Sequence, residues 1–251
     1  IFDEAHNVQD VAMDNMSFEF RGQWFLHATQ ALVQASQTVP SRGTEVAPAP
    51  GTLNELTNAL LKAADFFSKF PAPKSDDLIL PGSELNKFFA AIGISRDNQL
   101  PTKFVFDYAL SVLSTSKSSN RTLTNRLQLV ANLFRVLLSL SEEEVSRDFC
   151  LVIHSDSSKD QTSAPHVSKG WEDQSKRSEV PNDPRVSIWS MNPGLVMNEI
   201  VRMGVRSVVF TSGTLCPIST MASEMRMNFD ISLENSHVVS KDQIMVGVLP
   251  K

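Results

Sequence analysis

The sequence runs to 251 residues, 41% of them hydrophobic, which is enough for an ordinary packed core in one large domain or two smaller ones. Its formal net charge of -5 excludes a wholly basic nucleic-acid binder, so any contact with DNA has to come from local patches. The two cysteines, Cys150 and Cys216, cannot build a disulfide framework or a cysteine-ligated metal site within this chain, and no apolar run approaches the roughly 18 residues that cross a bilayer. A reducing compartment and no membrane partner are the expectations.

The chain opens on "IFDEAHNVQD", in which two apolar residues read as the end of a buried strand. From about Phe18 to Leu140 the pattern is mainly helical and is punctuated by Pro and Ser/Gly clusters. In "TLNELTNALLKAADFFSKF", Leu53, Leu56, Leu60, Ala64, Phe67 and Phe70 share one helical stripe, Pro71 ends it, and Thr52 with Glu55 has capping-box spacing. A second long helix is predicted in "NRTLTNRLQLVANLFRVLLSL", with Leu123, Leu127, Val130, Phe134 and Leu137 on its apolar face. Both stripes read as core. "FCLVIH" (149–154) then reads as a strand, and the Ser-, Lys- and Asp-rich stretch 155–184 as a loop or insertion.

After the loop, "RVSIWSM" is strand-like, "NPGLVMNEIVRMG" is helical, and "VRSVVFTSG" is a predicted buried strand ending in hydroxyls. Asn192 suits the helix cap, Pro193 the first turn and Gly204 the stop, so the three segments predict a β-α-β unit. "ISLENSHVV" and "QIMVGVLP" are two further strand candidates, and both ends of the chain are expected to be internal to a longer protein.

Ligand sites of open α/β sheets lie beyond the carboxyl ends of the strands, which is where Asp3 and Glu4 emerge. An Asp there can hold Mg2+ directly or through water, an adjacent Glu can polarise an attacking water, and His6 can bond a neighbouring segment. An isolated DEAH string is equally compatible with a helix start, but a second segment, "TSGTL" (211–215), follows another apolar run and supplies hydroxyls at its end. Ser212 lacks a GxSxG context, and His154, His166 and His237 lack metal-ligand spacing, so neither a hydrolase nucleophile nor a zinc site is expected.

These two strings match motifs II and III of helicases, and the chain resembles an internal segment of the XPD-like iron-sulfur superfamily-two DNA helicases. The resemblance implies an α/β fold: part of a RecA-like motor domain interrupted by a mainly helical Arch-type insertion. It divides the chain into a motif II segment (1–16), the insertion (17–185, with a polar loop near 155–184) and a return to the motor (186–251). It implies ATP and Mg2+ as cofactors, an iron-sulfur cluster whose ligands lie outside this chain, and five-prime to three-prime unwinding in genome maintenance in the nucleus. Asp3 would bind Mg2+, Glu4 would activate water, and His6 with Ser212, Gly213 and Thr214 would couple hydrolysis to strand movement. No GxxxxGK[ST] phosphate loop occurs here, so the chain alone is expected not to hydrolyse ATP.

The implied partners are single-stranded and branched or structured DNA, together with unidentified genome-maintenance proteins. Lys117, Arg121, Arg126 and Arg135 follow one another without an intervening acid and are the candidate phosphate contacts, a solvated helix face being the alternative. Two rival readings stay open: a non-catalytic Arch-like interaction module, and another iron-sulfur helicase of the Fanconi-anaemia J type or XPD itself.

Overall fold

The computed structural model describes residues 1–38, 47–71, 73, 75–116, 120–155, 183–215, 217–235, 243 and 247. A 3-10 turn (Ala5–Asn7) leads into α1 (Val8–Asn15) and β1 (Phe18–Arg21), followed by α2 (Gln23–Gln37), α3 (Pro50–Ser68), β2 (Leu78–Pro81) and α4 (Ser83–Ile92). Next come α5 (Gln99–Thr115), α6 (Arg121–Ser139), α7 (Glu142–Asp148), β3 (Phe149–Ile153), β4 (Arg185–Ser190), α8 (Gly194–Arg202) and α9 (Ile218–Glu224). The fold is mixed α/β and predominantly helical.

The apolar stripes predicted for α3 and α6 are core. Leu56, Leu60 and Phe67 of α3 and Leu127, Val130, Phe134 and Leu137 of α6 are buried, with Leu53, Ala64, Phe70 and Leu123 partly buried beside them. Asn120 caps α6 through its side chain, which accepts from the amides of Thr122 (3.0 Å) and Leu123 (3.4 Å). The predicted Thr52–Glu55 capping box is corrected: α3 starts three residues earlier, with Pro50 in its first turn and no side-chain cap on Ala49. Proline's fixed φ is already helical and it has no amide to satisfy, so the start moves to it. The box forms instead at α7, where the Ser141 amide donates to Glu144 (2.9 Å) and the Glu144 amide to the Ser141 hydroxyl (3.1 Å).

An aromatic cluster joins these helices to a sheet. Phe25 of α2 stacks on Phe67 (5.6 Å, 8°), and Phe20 of β1 meets Phe67 edge-on (5.0 Å). Burying each such ring contributes about 2 kcal/mol, and an edge-to-face or offset pair about a further 1 kcal/mol.

The sheet is antiparallel in the order β1-β4-β3-β2, with Phe18 opposite Ile188, Phe149 opposite Ser190 and Leu78 opposite Ile153. The predicted strand at 149–154 is thus observed as β3, and 185–190 as β4. Two strands inside the stretch read as helical were not expected, β1 and β2, each four residues long. Among the described residues β4 pairs with β1 and β3, one on each side, so the β-α-β unit expected from β4, α8 and 205–210 is not formed. His154 follows β3 and is bonded on both ring nitrogens, to Asp77 and to the buried Ser187 hydroxyl (2.7 Å each). That arrangement ties the end of β3 to the start of β2 and to the middle of β4, and leaves no nitrogen for a metal.

A second, smaller core comprises Ala5, Ala12, Met197, Met221 and Met225, with Phe2, Val8, Phe210 and Leu215 packed against it. Helix α8 reaches both cores, contributing Leu195 to the first and Met197 to the second. Its predicted stop holds, since Gly204 follows the helix at φ 80°, a left-handed conformation that favours glycine, but its start is corrected by one residue: Pro193 is the N-cap, without a side-chain cap, and Asn192 Oδ1, one position earlier, accepts from the Gly194 amide (3.0 Å). The predicted buried strand at 205–210 is corrected. Val205 and Val209 are exposed, and the segment makes one isolated parallel bridge, Phe2 to Phe210. A parallel strand is stabilised by neighbours on both sides, and among the described residues this one has a single, short neighbour. The strand expected at 231–239 is not formed in its described part, where Ile231 and Leu233 are exposed; most of the one expected at 243–250 lies outside the described residues, as do Cys216, His166 and His237.

Candidate active site

The bridge between Phe2 and Phe210 sets the site. The Phe2 amide donates to Val209 (2.8 Å) and the Thr211 amide donates back to Phe2 (2.9 Å), while the two rings stack at 5.2 Å and 11°. Parallel pairing brings the residues after both segments to one edge, so Asp3–His6 and Thr211–Thr214 meet there although about 200 positions separate them. The Ala5 amide closes the junction by donating to the Thr211 carbonyl (2.9 Å).

Glu4 takes the left-handed conformation, φ 48° and ψ 47°, which costs a non-glycine residue roughly 1 kcal/mol. This turn directs the chain from the bridge into the Ala5–Asn7 turn, and the Glu4 amide donates to Asp3 Oδ1 (3.0 Å). The Thr211 hydroxyl donates to the same oxygen (2.9 Å), so Asp3 Oδ1 is held by two donors. Among the described residues no group donates to Asp3 Oδ2.

Glu4, His6 and Ser212 converge. The Ser212 hydroxyl donates to Glu4 Oε2 (3.3 Å), His6 Nδ1 lies 3.0 Å from Ser212 Oγ, and the same nitrogen lies 3.2 Å from Glu4 Oε2. Thr214 joins through its amide, which donates to Ser212 Oγ (3.3 Å), and through its hydroxyl at 3.4 Å. A proton can therefore pass among a carboxylate, an imidazole and a hydroxyl without rearrangement of the backbone. Gly213 sits in an exposed turn where an added Cβ would meet nothing within 4 Å, so its lack of a side chain is not a packing requirement.

Among the described residues no cluster of three His, Cys, Asp or Glu could hold a metal ion by itself. The donor set fits Mg2+ in the manner of nucleotide enzymes, in which one carboxylate supplements substrate phosphates and water. Asp3 has one oxygen fixed by two donors and the other available.

The cationic candidates do not form one surface. Lys117 lies outside the described residues. Arg121 opens α6 and is exposed, whereas Arg126, about 140° further round the helix, covers the Trp24 ring of α2 at 3.4 Å. Arg135 is exposed, bonds Asn132 Oδ1 (3.1 Å), and lines a cavity of about 280 Å3 with Lys103, Asp107 and Phe106 of α5. Phe106 is buried, while Phe104 is exposed.

Sequence reasoning passed over Thr211, whose hydroxyl orients Asp3; its place at the end of an apolar run, opposite an acidic segment, was the available signal. It also passed over Asp148. That buried carboxylate accepts from Arg147 Nε and Nη2 (2.9 and 2.8 Å), from Asn192 Nδ2 (3.0 Å), and from Arg226 Nη1 and Nη2 (3.3 and 3.0 Å). Burial pushes its pKa upward, but the hydrogen bonds from Arg147, Asn192 and Arg226 and the charge of Arg226 prevail and hold it at about 2. Nothing local in the sequence marks this network.

No family model matches the chain. The curated proteins it resembles along its whole length are helicases. They are named regulator of telomere elongation helicase 1: the protein of Pongo abelii is 30% identical over 100% of this chain and 21% of its own length, and that of Homo sapiens 29% over 100% and 22%. The Arabidopsis thaliana homolog is 27% identical over 99% of this chain and 23% of its own length. The chain is thus similar to one stretch of these proteins and spans little more than a fifth of their length.

Proposed function

We propose that this chain is the part of an ATP-dependent DNA helicase that carries the acidic end of the nucleotide site, with a helical insertion beside it, acting in telomere and genome maintenance in the nucleus. The observation that carries the reading is the junction of Asp3 and Glu4 with the Ser212 turn, in a chain whose relatives are named as helicases. Residues 1–16 and those from α8 onward would belong to a RecA-like motor domain. The intervening helices would form the Arch-type insertion; β4, placed with the motor by the expected boundary at 185/186, would go with the insertion instead, a reading supported by its pairing with β1 and β3. Direction is taken as five-prime to three-prime from the family resemblance. Single-stranded and branched or structured DNA would be the partner, with Arg121 and Arg135 the exposed cations available to it.

In this mechanism Asp3 would hold Mg2+, which neutralises phosphate charge when ATP is bound. Thr211 keeps the Asp3 carboxylate oriented, and Glu4 accepts a proton from the attacking water. His6 and Ser212 share a hydrogen-bond network with Glu4, so a change in its protonation is felt at the Ser212–Thr214 turn. The phosphate loop, iron-sulfur cluster and second motor domain would be supplied by sequence outside this chain.

The test is Glu4→Gln in the full-length protein. Nucleotide binding should persist while DNA-stimulated hydrolysis falls at least roughly a hundredfold, the usual scale for losing a general base. Hydrolysis at the parental rate would refute the role.

A further inference from the structure

Helix α9 lies between the acidic site and the helical unit and is fastened to both. On the site side, the Gln9 amide group of α1 donates to Glu224 Oε2 (2.5 Å), three residues beyond His6. Met221 and Met225 are buried in the core that Ala5 and Phe210 share, and α9 begins four residues after Thr214. On the far side, Arg226 takes a left-handed backbone conformation, φ 50°, directly after this helix and sends its guanidinium across to Asp148.

Asp148 ends α7, and the next residue, Phe149, starts β3 in the principal core. Three segments meet on this one residue: its own helix through Arg147, the start of α8 through Asn192 and the Met191 amide (2.8 Å to the Asp148 carbonyl), and the end of α9 through Arg226. The approach is close, since a Cβ on Gly194 would come within 2.8 Å of the Met225 carbonyl oxygen. A guanidinium and a buried carboxylate joined by two hydrogen bonds have a fixed mutual orientation, unlike an apolar contact, which can slide. A rigid-body shift of the helical unit that carries α7 is therefore passed to α9, and through α9 to both halves of the site.

We propose that the Asp148–Arg226 pair is a coupling joint, with both residues acting as positioning residues that set the Ser212 turn against Glu4 according to the placement of the helical unit. The consequence for strand movement rests on the helicase reading above; the mechanical joint does not.

Two variants separate coupling from simple stability. Arg147→Gln and Arg226→Gln each remove one bidentate partner of the same carboxylate, and both guanidiniums are partly exposed, so both variants should fold. Only Arg226 spans the joint. In the chain itself, without nucleotide or DNA, amide exchange at Ala5 and Thr211 should quicken on the order of tenfold in Arg226→Gln and stay at the parental rate in Arg147→Gln, with Arg226→Lys partly restoring protection. Equal changes in both variants, or none in Arg226→Gln, would overturn the joint. In the full-length protein, Arg226→Gln should keep ATPase within about twofold while unwinding per ATP falls on the order of tenfold. A parallel fall in both rates would overturn the coupling role. If Glu4→Gln hydrolyses ATP normally, the helicase reading fails while the exchange result still decides the joint.

Discussion

Replacing Asp148 by Asn keeps its volume and removes one buried charge, leaving Arg147 and Arg226 to share a neutral acceptor. The magnitude follows from the carboxyl's pKa, which the three donors hold at about 2 against an ordinary value of 3.8. That difference corresponds to about 2 kcal/mol of folding stability. Because the folded-state value is depressed, this contribution is fully present above the unfolded-state value near pH 4 and is lost as pH falls toward 2. The two guanidiniums left behind are partly exposed and can be solvated, so at pH 6 the variant should be less stable by about 2 kcal/mol. Urea unfolding of parent and variant, followed from pH 6 to pH 2.5, separates this term from general acid destabilisation, which both proteins share. The gap between the two curves should be widest above pH 4 and mostly closed by pH 2.5. A gap that is absent at pH 6, or that persists unchanged to pH 2.5, would refute the assignment of the stabilisation to an ionised Asp148.

Two further outcomes can be checked. Gly82→Ala should destabilise the chain by more than about 3 kcal/mol, beyond ordinary overpacking, because the added Cβ would overlap the Val145 carbonyl oxygen and lie 2.5 Å from that of Phe149; an unchanged urea midpoint would show that the α7–β3 junction yields freely. Arg126→Gln should lower stability by about 0.5 to 1 kcal/mol by uncovering Trp24, whereas Arg121→Gln should leave stability unchanged and flatten the salt dependence of single-strand binding by roughly one unit of slope; identical salt slopes in parent and Arg121→Gln would return Arg121 to a solvated face.

Helices α3 and α6, the strand at 149–153, the Asn192 turn into α8 and the Gly204 stop were all legible in the sequence, because each depends on groups within a few residues: a 3.6-residue apolar period, a side chain reaching a nearby amide, a glycine free to turn left-handed. Asp3, Glu4, His6 and the Ser212 turn were legible as residue types, and tertiary structure brought them together through a single parallel bridge. The sheet was not legible, because β1 and β2 offer four residues each and their partners lie some 70 to 170 positions away; pairing over that distance is decided by which cores close around it, not by any local window. For the same reason the apolar run 205–210 met every local criterion for a buried strand and is exposed here, since burial requires neighbours that a run of side chains cannot specify. Arg126 on Trp24 and Arg226 on Asp148 complete the contrast: each arginine was visible as a charge, but only packing determined that one covers a ring and the other holds two cores together.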